Sequence, residues 1–214
     1  VQMGYVFAAF AWAYALFEIP GGWLGDKIGP RKVLMRVVLM WSFFTAATGA
    51  AWNLAALLVA RFVFGAGEAG CYPNLAKAFT NWLPGSERRR AAIAMWLSAR
   101  WGGAVTPLLG VGLVYLVGWR GGFVVFGTVG IVWAVIFYWW FRDNPRDHKS
   151  VNAAELELLK DARGNAAAHT SVPWSKLLTS RTVWLLFVQY FCFGYGWYFY
   201  ITWLPKYLAE ARGV

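Results

Sequence analysis

The chain has 214 residues, of which 59% are hydrophobic, 19% aromatic and 14% charged, with a formal net charge of +10. Such a composition excludes an ordinary soluble domain and names a bilayer as the natural solvent. The cations fall in short clusters between apolar runs, which excludes a nucleic-acid reader. Two cysteines inside apolar runs and only two histidines exclude a disulfide framework and a metal site.

A helix needs roughly 20 mostly apolar residues to cross a hydrocarbon core. Six stretches have that length, at about 3–24, 33–51, 54–79, 91–117, 121–141 and 182–208. They predict an all-α integral membrane fold with six transmembrane helices. Residues 1–141 would hold five of them, 142–181 a polar central loop, and 182–214 the sixth. The start, Val1-Gln2-Met3, lacks the charged region and cleavage site of a signal peptide and reads as a chain joined midway. Within the central loop, Asn152 and Glu155 form a capping-box pattern that opens a short helix over 153–163, with Gly164 to stop it. The small, polar run 165–171 reads as a mobile stretch. Residues 173–178 then read as an interfacial turn of helix.

Basic residues set the orientation. Lys27, Arg31, Lys32 and Arg36 follow the first span, and Lys77, Arg88, Arg89 and Arg90 follow the third. Seven more lie between Arg142 and Arg181. Opposite these fifteen stand only Arg120, Lys206 and Arg212. Loops 25–36, 77–90 and 142–181 are therefore expected in the cytoplasm and the chain in a cell (inner) membrane. The remaining two cations, Arg61 and Arg100, lie inside spans.

The first cytoplasmic loop reads GWLGDKIGPRK from Gly22 to Lys32. Gly22 and Gly29 allow close approach and a sharp turn, and Pro30 stops helix continuation. Asp26 can accept from the amides of the following helix or pair with a neighbouring cation. Lys27, Arg31 and Lys32 hold the loop in the cytoplasm. Glu18, about two turns earlier, is expected near the cytoplasmic end, in the charge network of this loop.

In the third span, Arg61 and Glu68 are seven residues apart, two helical turns, and share a face about 10 Å apart along the axis. Charges inside a bilayer face a pathway or each other, so the pair is either functional or an ion-paired packing device. Gly65, Gly67 and Gly70 admit close helix contact or thin a cavity wall, and Pro73 is expected to kink the helix. Arg100 lies midway along its span, where it faces the cavity or pairs with an acid. Tyr14 on the first span, with Gln189 and Tyr195 on the last, offers polar groups to a hydroxylated ligand.

The loop from Gly22 to Lys32 resembles the connection between helices two and three of the major facilitator superfamily of secondary transporters, where it acts as a cytoplasmic gate. The resemblance implies a major facilitator fragment running from helix two to helix seven, without helix one and the last five helices. Arg61 through Gly65, Gly67, Glu68 and Gly70 to Pro73 resembles helix four of the anion:cation symporter branch. So do FEIPGGWLGDKIGPRKVL before it, GWR at Gly118–Arg120, and YITWLPKYL near the end. The resemblance implies proton-coupled symport of an organic anion, most of all a sugar acid such as a hexuronate, aldonate or aldarate. In its terms Arg61 recognises the anion, Arg100 assists, Glu68 carries the proton, and Gly22, Asp26, Lys27, Gly29, Arg31 and Lys32 form the gating loop. The glutamate-carrying branch has a histidine and an arginine where this chain has Phe7 and Phe193, which favours sugar acids. No cofactor beyond a proton gradient is expected, and the complete protein is expected to be a monomer. A membrane-embedded enzyme is the rival class, but His148 and His169 both lie in the polar loop, and no Ser or Cys sits in a recognisable nucleophile elbow. A passive anion channel or facilitator is the third possibility.

Overall fold

The computed structural model describes residues 2–163 and 174–213. Every regular element among them is helical: α1 (Gln2–Ile28), α2 (Pro30–Gly49), α3 (Leu54–Glu68), α4 (Cys71–Trp82), α5 (Gly85–Trp140), α6 (Ala153–Arg163), α7 (Trp174–Thr179), α8 (Arg181–Thr202) and α9 (Leu204–Tyr207). A 3-10 turn occupies Pro145–Asp147, and a π turn Leu208–Arg212. The chain divides into two compact units, Val1–Ala166 and Ala167–Val214.

The 56 residues of α5 are two helices joined at Gly118, whose φ of 73° and ψ of 166° are not helical. A Cβ on Gly122 would lie 3.6 Å from that of Leu113. In a continuous helix, nine residues span about 13 Å, so the chain doubles back at Gly118. That reversal separates the expected spans 91–117 and 121–141. The expected span 54–79 is also divided, at Ala69 and Gly70, into α3 and α4.

Gln2–Ile28, Leu54–Trp82 and Gly85–Trp140 are long and apolar enough to cross a membrane. Helices also stand at the other two expected spans, α2 with 20 residues and α8 with 22. Arg31, Lys32 and Arg36 lower the hydropathy of α2; tryptophans and tyrosines, near neutral on that scale, lower that of α8.

Within the first unit, α1 packs on α3, and α2 packs on α3 and α5. The contacts are made by small residues. A Cβ at Gly21 would lie 2.7 Å from the Gly70 Cα, one at Gly67 would meet Met40, and one at Gly127 would meet the Ser42 carbonyl. Close backbone approach is how helices associate in lipid, where apolar burial supplies no driving force. Accordingly the buried set is short, with Val33, Val37, Ala13 and Ala134 at its centre. Large apolar side chains face outward instead, including Tyr115 (88% exposed), Leu116 (81%) and Trp139 (77%). The inverted pattern is that of a surface solvated by hydrocarbon.

Asn152 and Glu155 form the expected capping box: the Glu155 amide donates to Asn152 Oδ1 at 2.8 Å, and the Asn152 amide to Glu155 Oε2 at 3.1 Å. The expected stop at Gly164 and the run 165–171 lie outside the described residues. In the second unit, α7 stands at the expected interfacial turn, and the Trp184 indole donates to the Leu178 carbonyl at 2.8 Å, tying α7 to α8. Phe193 stacks on Trp197 one turn further along α8.

Candidate functional site: an interrupted helix and its charged residues

The helix that begins at Leu54 ends at Glu68. Ala69 leaves helical geometry (φ −55°, ψ 141°), Gly70 takes a left-handed conformation (φ 87°), and Cys71 starts α4. Only glycine adopts that conformation routinely. The break precedes Pro73, which was expected to cause it. Pro73 is the third residue of α4, where its missing N–H belongs to the unpaired first turn. The kink therefore comes from Gly70.

An interruption frees backbone groups, and in hydrocarbon they need partners. The Gly70 N–H donates to Glu18 Oε2 at 2.8 Å. The Ala69 carbonyl accepts from Arg36 Nη2 at 3.4 Å. The Gly70 carbonyl accepts from Asn74 Nδ2 at 2.7 Å, and the same amide donates to the Gly21 carbonyl at 3.1 Å. Asn74 is 1% exposed. Glu18 thus sits at the break, beside Glu68, and not in the loop's charge network; its side chain points along the α1 face that carries Gly21.

The Arg61 guanidinium lies over two aromatic rings, 4.9 Å from Phe64 and 5.5 Å from Phe10. Stacking on aromatic faces holds a guanidinium in place without consuming its hydrogen-bond donors. Among the described residues neither the Arg61 nor the Glu68 side chain forms a hydrogen bond or a direct ion pair. Arg61 also lines a cleft of about 620 Å³, together with Met3, Phe7, Asn53 and Arg120. The cleft opens where α1 begins and α2 ends.

Tyr14 stands one helical turn before Glu18, close enough to feel the charges of both Glu18 and Glu68. Its hydroxyl is buried and has no hydrogen-bond partner among the described residues. A buried polar group left unpaired is costly, and this hydroxyl is one. Arg100 lies one turn beyond Trp96, whose ring stacks on Tyr72 at 5.1 Å, and its charge reaches Tyr72. The structure therefore gathers Tyr14, Arg61 and Glu68, while the Arg100 charge acts on Tyr72. Gln189 and Tyr195 lie exposed on α8, in the second unit.

At the opposite end of the first unit, the loop residues find distinct partners. Asp26 pairs with Lys77 at 2.8 Å, and the Lys77 ammonium also reaches the Gly25 carbonyl at 3.0 Å. Of the two options the sequence left open for Asp26, the cation is the one realised. The amide option falls to Asp143, which accepts from the Arg31 N–H at 2.7 Å. Gly29 leaves room for that carboxylate, which a Cβ there would strike. The Arg31 guanidinium donates to the Tyr138 carbonyl and lies over its ring at 4.0 Å. Lys27 covers the Trp23 ring at 3.9 Å, Gly22 packs against Pro73, and Lys32 is exposed.

Sequence reasoning missed Asn74, Lys77, Asp143 and the Tyr72–Trp96 stack. The signal for Asn74 was an amide within an apolar segment directly after a glycine-rich run. Nothing local marks Asp143 as a partner of a helix more than a hundred residues away.

Known proteins resemble this chain along its whole length. A probable sulfoacetate transporter of Cupriavidus necator is 42% identical over 99% of this chain and 49% of its own length. A probable galactarate/D-glucarate transporter of Bacillus subtilis is 36% identical over all of this chain and 50% of its own. A hexuronate transporter of Bacillus subtilis is 28% identical, again over all of this chain and 49% of its own. The chain spans about half the length of the curated relatives it matches. The sequence profile of the Major Facilitator Superfamily matches residues 1–214, and the chain belongs to that superfamily of membrane transporters.

Proposed function

We propose that the full-length protein containing this chain is a secondary active transporter that couples proton entry to uptake of a small organic anion. A sugar acid (hexuronate, aldonate or aldarate) is the leading substrate class. Arg61 takes the carboxylate, Arg100 assists, Tyr14, Gln189 and Tyr195 contact hydroxyls, and Glu68 carries the proton. Asp26 and its basic neighbours govern the inward gate, with loops 25–36, 77–90 and 142–181 in the cytoplasm of a cell whose inner membrane holds the protein. The two halves rock around the midplane site, with no cofactor beyond the proton gradient and the complete protein as a monomer.

The observation that carries this reading is the trio of Arg61, Glu68 and the unpartnered Tyr14 hydroxyl, held around a helix interruption. Broken helices near the midplane are where secondary transporters build their sites. An aromatic-stacked guanidinium keeps its planar fork for a carboxylate or sulfonate. The relatives named for galactarate, D-glucarate and hexuronate support the sugar-acid class. A second substrate is favoured by the relative at 42% identity, which is named for sulfoacetate. Sulfoacetate and the aldarates share an anionic group at each end.

Reconstitution of the full-length protein in liposomes with an inward proton gradient tests the reading. Uptake of D-glucarate, galactarate, D-galactonate, D-glucuronate and sulfoacetate is measured for the unaltered protein, Glu68→Gln and Arg61→Ala. Accumulation of one of these anions, abolished by collapse of the gradient and by either substitution, is the expected result. Equilibration that ignores the gradient would remove proton coupling. Variants that accumulate normally would reduce Arg61 and Glu68 to packing residues.

A further inference from the structure

We propose that Glu18 is the positioning residue for Glu68: by accepting the Gly70 N–H, it holds open the interruption that makes Glu68 the last residue of its helix. The proposal rests on the reading of Glu68 as the proton carrier.

Glu18 Oε2 is the acceptor the Gly70 N–H finds among the described residues, at 2.8 Å. The arrangement is aimed by helix geometry. Residues three apart lie on one face of a helix, and Gly21, three residues after Glu18, is the point where α1 touches Gly70. The backbone contact at Gly21 therefore fixes where the Glu18 carboxylate lands. The other freed groups are held from other positions, by Arg36 of α2 and by Asn74 of α4, and neither is placed to accept an N–H from Gly70. Arg36 carries no acceptor, and Asn74 turns its amide nitrogen to the Gly70 and Gly21 carbonyls and its Oδ1 toward Gly25 of α1.

Without Glu18, the alternative acceptor for the Gly70 N–H is the carbonyl four residues back, on Ala66. That bond would continue α3 through Gly70 and turn Glu68 into an interior helical residue with a different heading. In lipid there is no water to take the donor instead. Glu18 acts through an oxygen lone pair, so a neutral amide oxygen serves as well as a carboxylate. Around it stand Tyr14 of its own helix, Glu68 of α3, Cys71 and Tyr72 of α4, and, at the neighbouring Ala69 carbonyl, Arg36 of α2. None of the last three carries a carboxylate to replace it.

The test uses the full-length protein in liposomes with Glu18→Gln, Glu18→Leu and Glu18→Ala, the loss being read in whichever of the last two elutes as a monodisperse species. The probe is D-glucarate or sulfoacetate, whichever the unaltered protein accumulates. Glu18→Leu or Glu18→Ala is expected to slow proton-driven accumulation about tenfold, the low end of what an orphaned buried donor costs. The KM for proton-independent counterflow should stay within about twofold, because Glu18 does not touch the anion. Glu18→Gln should restore accumulation to within about twofold. Hydrogen exchange in peptides covering 66–74 should accelerate in the loss variant and stay protected in Glu18→Gln. Equal loss in Glu18→Gln and Glu18→Leu would make the charge, not the acceptor, the operative feature and overturn the proposal. So would unaltered accumulation in Glu18→Leu or unaltered exchange at 66–74. If the unaltered protein accumulates no anion, the transport reading fails, while the exchange measurement still decides the clip.

Discussion

Gly21→Ala isolates the contact on which the interrupted helix depends. A Cβ at Gly21 would lie 2.7 Å from the Gly70 Cα and 2.8 Å from the Ala69 carbonyl oxygen. Both are backbone atoms, so no side-chain rotation relieves the clash. Carbon atoms rest about 3.5–4.0 Å apart, and α1 must therefore retreat from the break by roughly 1 Å. A gap of that size forfeits a quarter to a half of each dispersion contact along the seam. The 3.1 Å bond from Asn74 to the Gly21 carbonyl lengthens past useful range. Overpacking of this kind costs about 1–3 kcal/mol, and the lost hydrogen bond adds about 1 kcal/mol. The helix propensity gained by alanine, about 1 kcal/mol, offsets part of this, leaving about 2 kcal/mol. The unfolding midpoint of the detergent-solubilised full-length protein, followed by tryptophan fluorescence, should fall by about 2 °C. Gly85→Ala is the control, since nothing lies within 4 Å of a Cβ there, and it should leave the midpoint unchanged or raise it. A Gly21→Ala midpoint equal to that of Gly85→Ala would refute the argument from close approach.

Other substitutions separate structure from transport. Tyr14→Phe removes a buried hydroxyl that has no partner among the described residues, so stability should hold within about 0.5 kcal/mol while the KM for the anion rises severalfold. Asp143→Ala removes the cap on the Arg31 N–H and should cost about 1 kcal/mol, read as a lower unfolding midpoint. Asp26→Asn weakens a half-exposed ion pair and should cost less than about 1 kcal/mol. Any large fall in its transport rate would then report gating and not stability. Arg61→Lys keeps the charge but loses the planar fork, and should raise the KM at least about tenfold.

Much of the scaffold could be read along the chain, because it follows local rules. The reversal at Gly118 was announced by a glycine between two apolar runs, and the capping box by Asn152 and Glu155. The shared face of Arg61 and Glu68 followed from a spacing of seven. The break at Gly70 escaped because hydropathy runs unbroken from Leu54 to Trp82, and glycines there read equally well as packing residues. The N–H that the break frees finds its acceptor on α1, 52 positions earlier, and no local pattern displays that. Glu18 itself was visible, but its distance along α1 from Asp26 suggested the wrong neighbour. Lys77 and Asp143 escaped for the same reason: each charge was countable, and its pairing across the bundle was not.

The position of the interruption has an electrical consequence. Glu68 lies fourteen residues in from either end of the segment Leu54–Trp82, midway through the barrier that segment crosses. One elementary charge carried across a whole membrane gains about 2.3 kcal/mol per 100 mV. A proton reaching Glu68 from outside traverses about half of that drop, so about 1 kcal/mol per 100 mV would act on its occupancy. Under the proposed role, a resting potential of inside-negative sign loads Glu68 severalfold more readily than the same pH difference alone. Voltage would then drive the cycle at the loading step, before the carrier moves, because the helix is cut at half depth.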